Sequence, residues 1–287
     1  MGHPGRARFL DLLVQKLVRS FAGMSQRLEH RTALVTGSTS NIGRSIAVAF
    51  GAEGAHVIVS GRDDTRGKAV VARIRSAGGT ADYVHADLDG TASASRSLAD
   101  AASDLLGGRI DILVNNAGIF PGATTLTTDD AMFDRVYAVN VKAPFFLTQA
   151  VAPTMVAAGG GVIINLGSWV ARLSVPVGAL YASTKGAMET LTRAWAAEFG
   201  PQGIRVNAVS PGVIADPDRD PTVERPSDLL MRGTPAGWSG HPDAIAAAAV
   251  YLASDDAAFV HGTVVDVDGG RTGVAVIAGP NPFRADD

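Results

Sequence analysis

From Thr32 onward the chain alternates short β-branched, apolar runs with longer Ala-rich segments whose apolar positions recur at the helical period. The runs predict strands over Ala33–Thr36, His56–Ser60, Ala81–His85, Ile110–Asn115, Val162–Leu166, Arg205–Val209 and Thr263–Val267. Several are apolar at nearly every position, as strands covered on both faces must be. The segments between them predict helices over Ile42–Glu53, Arg66–Ser76, Ala92–Leu106, Ala131–Ala158, Tyr181–Phe199 and Pro242–Ala253. Glycines at 54, 107–108, 159–161 and 200, the last followed by Pro201, stand where helices end. Strand and helix in strict alternation specify an α/β fold: a doubly wound, seven-stranded parallel sheet of Rossmann type, with ligands at the carboxyl ends of the strands.

Two stretches break the rhythm. Between Val213 and Gly240 the period fails, and Pro217, Pro221, Pro226 and Pro235 punctuate a polar segment. A long irregular loop in a compact domain usually binds or moves, so residues 213–240 are expected to form a substrate lid, with a tolerated surface insertion as the alternative. At the other end, Arg6–Leu28 carries Phe9, Leu12, Leu13, Leu17 and Phe21 near a helical period, but Asp11, Gln15 and Lys16 interrupt it, so no transmembrane span is expected. Residues 1–30 are expected to be a dispensable helical extension, with translation starting upstream of Met24; membrane-surface, targeting or partner binding is the alternative. Residues 31–270 then form one domain and 271–287 a tail without an assigned role.

Composition narrows the chemistry. Of 287 residues, 46% are hydrophobic and 18% charged, enough to bury a sizeable core. A net charge of -3 gives no basic surface for nucleic acid or anionic membrane. With no cysteine there is no disulfide, thiolate nucleophile or Cys-ligated metal, which agrees with a cytoplasmic location. The six histidines show no metal-binding spacing, so no metal is expected.

The candidate chemistry lies at strand ends. The first strand runs through Thr36 into Gly37-Ser38-Thr39-Ser40-Asn41-Ile42-Gly43 and a helix. Small residues there let the backbone approach a pyrophosphate, and free amides at the helix start favour the anion. Farther on, Tyr181 and Lys185 stand at i and i+4 on one helix face, where the ammonium is expected to lower the phenol's pKa and ready it for proton exchange. Ser168 precedes Tyr181 by thirteen residues, just beyond an apolar strand.

These motifs resemble the short-chain dehydrogenase/reductase family over about Thr32–Gly270. Its T-G-x-x-x-G-x-G loop is present with Asn41 in place of one glycine, a residue that tolerates left-handed backbone angles. Asn115-Asn116-Ala117-Gly118 is similar to the family's N-N-A-G, which supports the sheet and lines the cofactor cleft. Val267-Asp268-Gly269-Gly270 fits the closing V-D-G-G. The resemblance implies a ketone/secondary-alcohol oxidoreductase in which Tyr181 exchanges the proton, Ser168 holds the substrate oxygen, and Asn140 helps hold a water linked to Lys185. Asp87 and Leu88 are expected at the adenine, and Asn115, Ala117, Gly118, Pro211, Gly212 and Val213 along the cofactor, with Tyr181 and Lys185 touching it as well. Asp216 stands where the family has a threonine, which alters the contact to the nicotinamide amide.

At the end of the second strand the family's NAD users carry an acid. Gly61 stands there, followed by Arg62, which implies NADP(H) rather than NAD(H), with Ser38, Thr39 or Ser40 adding hydroxyl donors to the 2′-phosphate. Trp169, Leu173, Phe120 and Trp238 are candidates for an apolar substrate wall. The implied substrate is a small-molecule carbonyl or alcohol, open among 3-oxoacyl thioesters, steroids, sugars, polyols and cyclic ketones, and the implied assembly is a homotetramer. A catalytically idle nucleotide-binding sensor or scaffold is the rival. A methyltransferase has no use for Tyr and Lys one helical turn apart.

Overall fold

The computed structural model describes residues 26–173, 175–176, 178–220, 223 and 225–275. Seven parallel strands, β1 (Thr32–Val35), β2 (His56–Gly61), β3 (Thr80–His85), β4 (Ile112–Asn115), β5 (Gly161–Leu166), β6 (Ile204–Pro211) and β7 (Val264–Val267), lie in the order β3-β2-β1-β4-β5-β6-β7. The order reverses between β1 and β4, which opens a crevice at their carboxyl ends. Alternate strand residues feed two separate cores. Val35, Val57, Ile112 and Ile164 meet α1 (Asn41–Ala52) and α7 (Pro242–Ala253) on one face. Leu34, Leu113, Ile163 and Val206 meet α3 (Ala92–Leu105), α5 (Ala143–Ala157) and α6 (Ala179–Phe199) on the other. Burial on both faces is the physical reason these strands lack polar alternation.

Side chains set the starts of three consecutive helices. Asp63 caps α2 (Asp64–Ser76), Thr91 caps α3 and Asp129 caps α4 (Asp130–Tyr137), each accepting a hydrogen bond from a backbone N–H in the first turn. The single helix expected over Ala131–Ala158 is interrupted. Between α4 and α5 the chain makes one π-helical turn, Ala138–Lys142, a local widening that periodicity does not reveal.

The irregular 213–240 segment is a loop closed on itself. Gly240 donates to Val213 O and Ala215 to Gly240 O, pinning its two ends together, and one 3-10 turn spans Asp228–Met231. Its later half rests on the domain through Ala236 N–H to Gly269 O and Arg271 to Leu230 O. Its earlier half reaches α1 through a two-pronged Arg44–Asp218 pair at 2.8 and 2.9 Å.

The stretch just before residue 30 packs on the end of α1. Leu28 is fully buried, its N–H donates to Glu53 O, and Arg27 pairs with Glu53, so this stretch belongs to the domain because an apolar side chain completes the core under α1. The rest of the expected extension, residues 1–25, and the tail from 276 lie outside the described residues. Thr272, at the start of the tail, donates from its backbone N–H and hydroxyl to Asp268. No helix among the described residues is long and apolar enough to cross a membrane.

Candidate active site

The crevice between β1 and β4 is a cleft of about 920 Å³ lined by Gly37, Thr39–Gly43, Gly61, Arg62, Asp87, Leu88 and Asn116–Ile119. Its floor is tightly built. Thr36 Oγ1 donates to Val114 O and accepts from the backbone of Asn116 and Ala117, while Asn116 Nδ2 donates to the carbonyls of Thr36 and Gly37. A Cβ on Gly43 would stand 2.4 Å from both Asn116 Nδ2 and Gly37 O, so no side chain fits there. Asn41 takes φ +42°, the left-handed angle expected of it. Ser40 gives α1 no side-chain cap, unlike the residues before α2, α3 and α4, so the first amides of α1 face the cleft without a protein acceptor from the cap position.

Some expected cofactor residues turn elsewhere. Ser38 is fully buried: its hydroxyl donates to Val35 O at 2.7 Å and accepts from Ser60 N–H, so it joins β1 to β2 and offers no donor to a phosphate. Asn115 points into the sheet, where Nδ2 donates to Asn165 Oδ1 at 2.9 Å and Asn165 donates to Thr192 on α6. Its neighbour Asn116 is the one that faces the cleft. Pro211 ends β6 and Gly212 and Val213 follow it; Gly212 is held by Val267 O and by Asp268 Cα, 2.6 Å from where a Cβ would be. Asp216 accepts from Asp218 N–H and pairs with Arg219, shaping a turn of the loop.

At the far end of the cleft, a Cβ on Gly61 would lie 2.7 Å from Thr39 Cγ2, so Thr39 occupies the room an acidic side chain would need. Arg62 is exposed and lines the cleft. The two carboxylates that follow it are engaged elsewhere, Asp63 with Arg66 and Asp64 with His85 and Tyr83. Asp87 and Leu88 line the cleft as expected, and Arg135 from α4 pairs with Asp87 at 3.2 Å. Arg135 was not legible as a site residue, because only the packing of α4 against the β3 end brings it there.

Beyond the cleft stand Ser168, Tyr181, Lys185 and Asn140. Ser168 follows β5 and caps a short 3-10 turn, Trp169–Ala171. Its hydroxyl lies close enough to the Tyr181 phenol to pull that group's pKa down. Tyr181 and Lys185 lie in the first two turns of α6, with Lys185 Nζ 5.5 Å from the centre of the Tyr181 ring and donating to Leu166 O at 2.7 Å. The π turn aims Asn140 inward: its Oδ1 accepts from Ile119 N–H at 2.8 Å, and its Nδ2 donates to Ile119 O and Thr184. A widened turn re-aims a side chain in this way at many functional sites.

The expected lowering of the phenol's pKa does not hold for these residues. Burial pushes Tyr181 up to about 12, outweighing the Ser168 hydroxyl that lowers it. Lys185 is itself drawn down to about 8 by burial. Removing both groups from water disfavours phenolate and ammonium alike. Trp169, expected in the substrate wall, is buried beneath the Arg271 guanidinium, 4.5 Å from its ring. Phe120 is 56% exposed and lies 5.0 Å from the Tyr181 ring, and its edge fills the space that a side chain on Gly178 would take.

A nucleotide-sized cleft at the sheet's switch point, ending beside a Ser-Tyr-Lys group, defines a Rossmann-type oxidoreductase acting on alcohol and ketone groups. The chain belongs to the short-chain dehydrogenase/reductase family. The family model described as enoyl-(acyl carrier protein) reductase matches residues 37–272. The cyclopentanol dehydrogenase of Comamonas sp. is 36% identical over 252 residues, 86% of this chain and 98% of its own. A gluconate 5-dehydrogenase from Burkholderia cenocepacia, solved with NADP and tartrate, is 34% identical with a TM-score of 0.80, covering 88% of this chain and all of that one. A 7α-hydroxysteroid dehydrogenase, solved with NADH and 7-oxo glycochenodeoxycholic acid, is 37% identical with a TM-score of 0.80, covering 86% and 96%. The family uses nicotinamide cofactors, and these two neighbours were solved with different ones.

Proposed function

We propose that this protein is an NADP(H)-dependent enzyme that interconverts a ketone and a secondary alcohol, with Tyr181 as the general acid and base. The observation that carries the cofactor choice is the Gly61–Thr39–Arg62 arrangement. Thr39 fills the space of the missing acid, and Arg62 keeps a guanidinium in the cleft to take a phosphate by a two-pronged contact. The cleft also suits a nucleotide in other respects: Asn41 Oδ1 is a buried acceptor without a partner, which a ribose hydroxyl can satisfy.

When bound, the reduced nicotinamide supplies a hydride. Ser168 would donate to the substrate oxygen and stabilise the negative charge growing on it. Tyr181, whose phenol at about 12 keeps its proton at neutral pH, then delivers that proton to the oxygen. Lys185 holds positive charge beside the phenol, and Asn140 fixes Ile119 and the wall of the site. In the reverse direction Tyr181 must accept the proton. For that it must first be a phenolate, and the Lys185 ammonium beside it favours this deprotonated form electrostatically.

The same reading makes the 213–240 loop a lid, places the enzyme in the cytoplasm and assembles it as a homotetramer. Phe133 and Phe145, 47% and 42% exposed on α4 and α5, leave apolar surface for a second copy. The test of cofactor choice is fluorescence titration of Arg62→Ala with NADPH and NADH. NADPH affinity is expected to drop about tenfold or more while NADH affinity stays nearly constant; equal losses for both would refute it. A panel holding a cyclic ketone, an oxo-steroid and a keto-sugar acid, followed by NADPH absorbance, identifies the substrate class.

A further inference from the structure

Ser168 is poorly fixed by its own surroundings. Its hydroxyl accepts from Val170 N–H at 3.5 Å, a long contact, and the 3-10 turn after it is held by only a few backbone bonds, among them Ala171 N–H to Ser168 O and Arg172 N–H to Trp169 O. Besides the buried Trp169, the turn is anchored to the rest of the protein by Arg172 at its end. The guanidinium grips both oxygens of Asp266 on β7, one at 2.7 Å, and donates to Ser210 Oγ on β6 at 3.1 Å. On its other side, Arg172 Nε lies 3.6 Å from Glu189 Oε1.

Glu189 sits one helical turn beyond Lys185 on α6, and its side chain is buried. Its Oε1 lies 3.7 Å from where a Cβ on Gly167 would be, directly behind the residue that precedes Ser168. The Arg172 fork therefore touches three bodies at once: the strand pair β6–β7, the turn that carries Ser168, and the helix that carries Tyr181 and Lys185. Only an arginine has the planar, multi-donor head to hold a carboxylate with two prongs while reaching a hydroxyl and a second carboxylate.

We infer that Arg172 is a positioning residue that fixes Ser168 against Tyr181 by clamping the serine turn to Asp266, Ser210 and Glu189. It touches neither substrate nor cofactor; it acts through the placement of the serine hydroxyl. The inference rests on the reading of Ser168 and Tyr181 as the reacting pair. A misplacement of about 1 Å at such a group costs on the order of a hundredfold in rate.

The test compares Arg172→Met, Arg172→Lys and Asp266→Asn in the full chain, with NADPH and the panel ketone that the wild type reduces fastest. Arg172→Met should lower kcat about tenfold to a hundredfold while the NADPH dissociation constant stays within about twofold. Arg172→Lys should recover part of the loss, since it keeps the charge without the fork. Asp266→Asn should act in the same direction, and the double variant should be no slower than Arg172→Met alone. A kcat for Arg172→Met within about twofold of wild type, or losses that add in the double variant, would overturn the inference. If Arg172→Met does not fold, Arg172→Lys and Asp266→Asn decide the question by the same split between kcat and cofactor affinity. Hydrogen exchange separates this inference from the catalytic reading. Amides of Val170–Leu173 should exchange faster in the variants with those of α1 unchanged, and unchanged exchange would overturn the clamp whether or not a substrate has been found. A wild type that reduces no ketone while showing the exchange effect would refute the catalytic reading and leave the clamp a structural device.

Discussion

Lys185 is an expensive residue to bury, and the cost can be read out by removing it. Its pKa falls from the ordinary 10.5 to about 8, with burial as the cause. That displacement means that keeping the ammonium at neutral pH costs the folded state about 3 kcal/mol relative to the unfolded chain. Against this stands one hydrogen bond to Leu166 O at 2.7 Å. Leaving that carbonyl unpaired costs about 1–2 kcal/mol. Lys185→Met keeps a similar length and apolar stem, so the variant should be more stable than wild type at pH 7 by about 1–2 kcal/mol, a rise in Tm of roughly 3–6 °C. Its turnover should collapse and its NADPH affinity fall, because the charge kept at such cost serves the reaction.

The pH dependence gives the reasoning a second handle. The unfolded lysine binds its proton up to about 10.5, while the folded one releases it above about 8. Between these values the unfolded state holds more protons, so this residue's penalty shrinks as pH rises. From pH 7 to 9.5 the penalty should fall by about 2 kcal/mol, and the variant's advantage should vanish with it. Tyr181 acts in the opposite sense at higher pH: its folded value of about 12 against an ordinary 10 removes stability as pH climbs from 10 towards 12. The comparison therefore belongs between pH 7 and 9.5. Urea unfolding of both proteins, at equal concentration so that assembly does not intrude, is the assay. A variant less stable than wild type at pH 7, or a difference that does not change with pH, would refute the argument.

Two further outcomes follow from particular residues. Asn41→Gly removes a left-handed strain at φ +42° and an unpartnered buried oxygen, against a greater loss of chain entropy; the expected net for the cofactor-free protein is a gain of about 0.5–1 kcal/mol in thermal unfolding. A loss of stability would show that the Asn41 side chain holds the loop. Light scattering at micromolar concentration should give a tetramer, with the exposed Phe133 and Phe145 helices contributing to its interfaces; a monomer at that concentration would contradict the assembly.

The strands and most helices were legible because burial on both sheet faces forces apolar runs, and glycines mark the helix ends. What escaped was local or long-range. Periodicity carried the α4 and α5 segments as one helix, since a π turn at Ala138–Lys142 changes the aim of Asn140 without changing composition. Ser38 looked like a phosphate donor because it stands in the loop, yet its hydroxyl is committed to Val35 and Ser60, a contact that exists only once β1 and β2 pair. Arg135 and Arg172 carried no motif at all; each gains its partners from strands or helices distant in sequence. The direction of the Tyr181 pKa escapes the sequence for a related reason. Helical spacing places a cation near the phenol, but only the packed structure shows that both groups lose water.

The central claim is that Tyr181 delivers the proton, and Tyr181→Phe tests it most directly. The change deletes one hydroxyl and keeps the ring against Phe120, so the fold and the cleft should stand. NADPH oxidation should fall by about a hundredfold or more on a ketone that the wild type reduces, with the NADPH dissociation constant nearly unchanged by fluorescence. Near-normal turnover in Tyr181→Phe, with the same cofactor affinity, would mean that another group supplies the proton and would contradict the account.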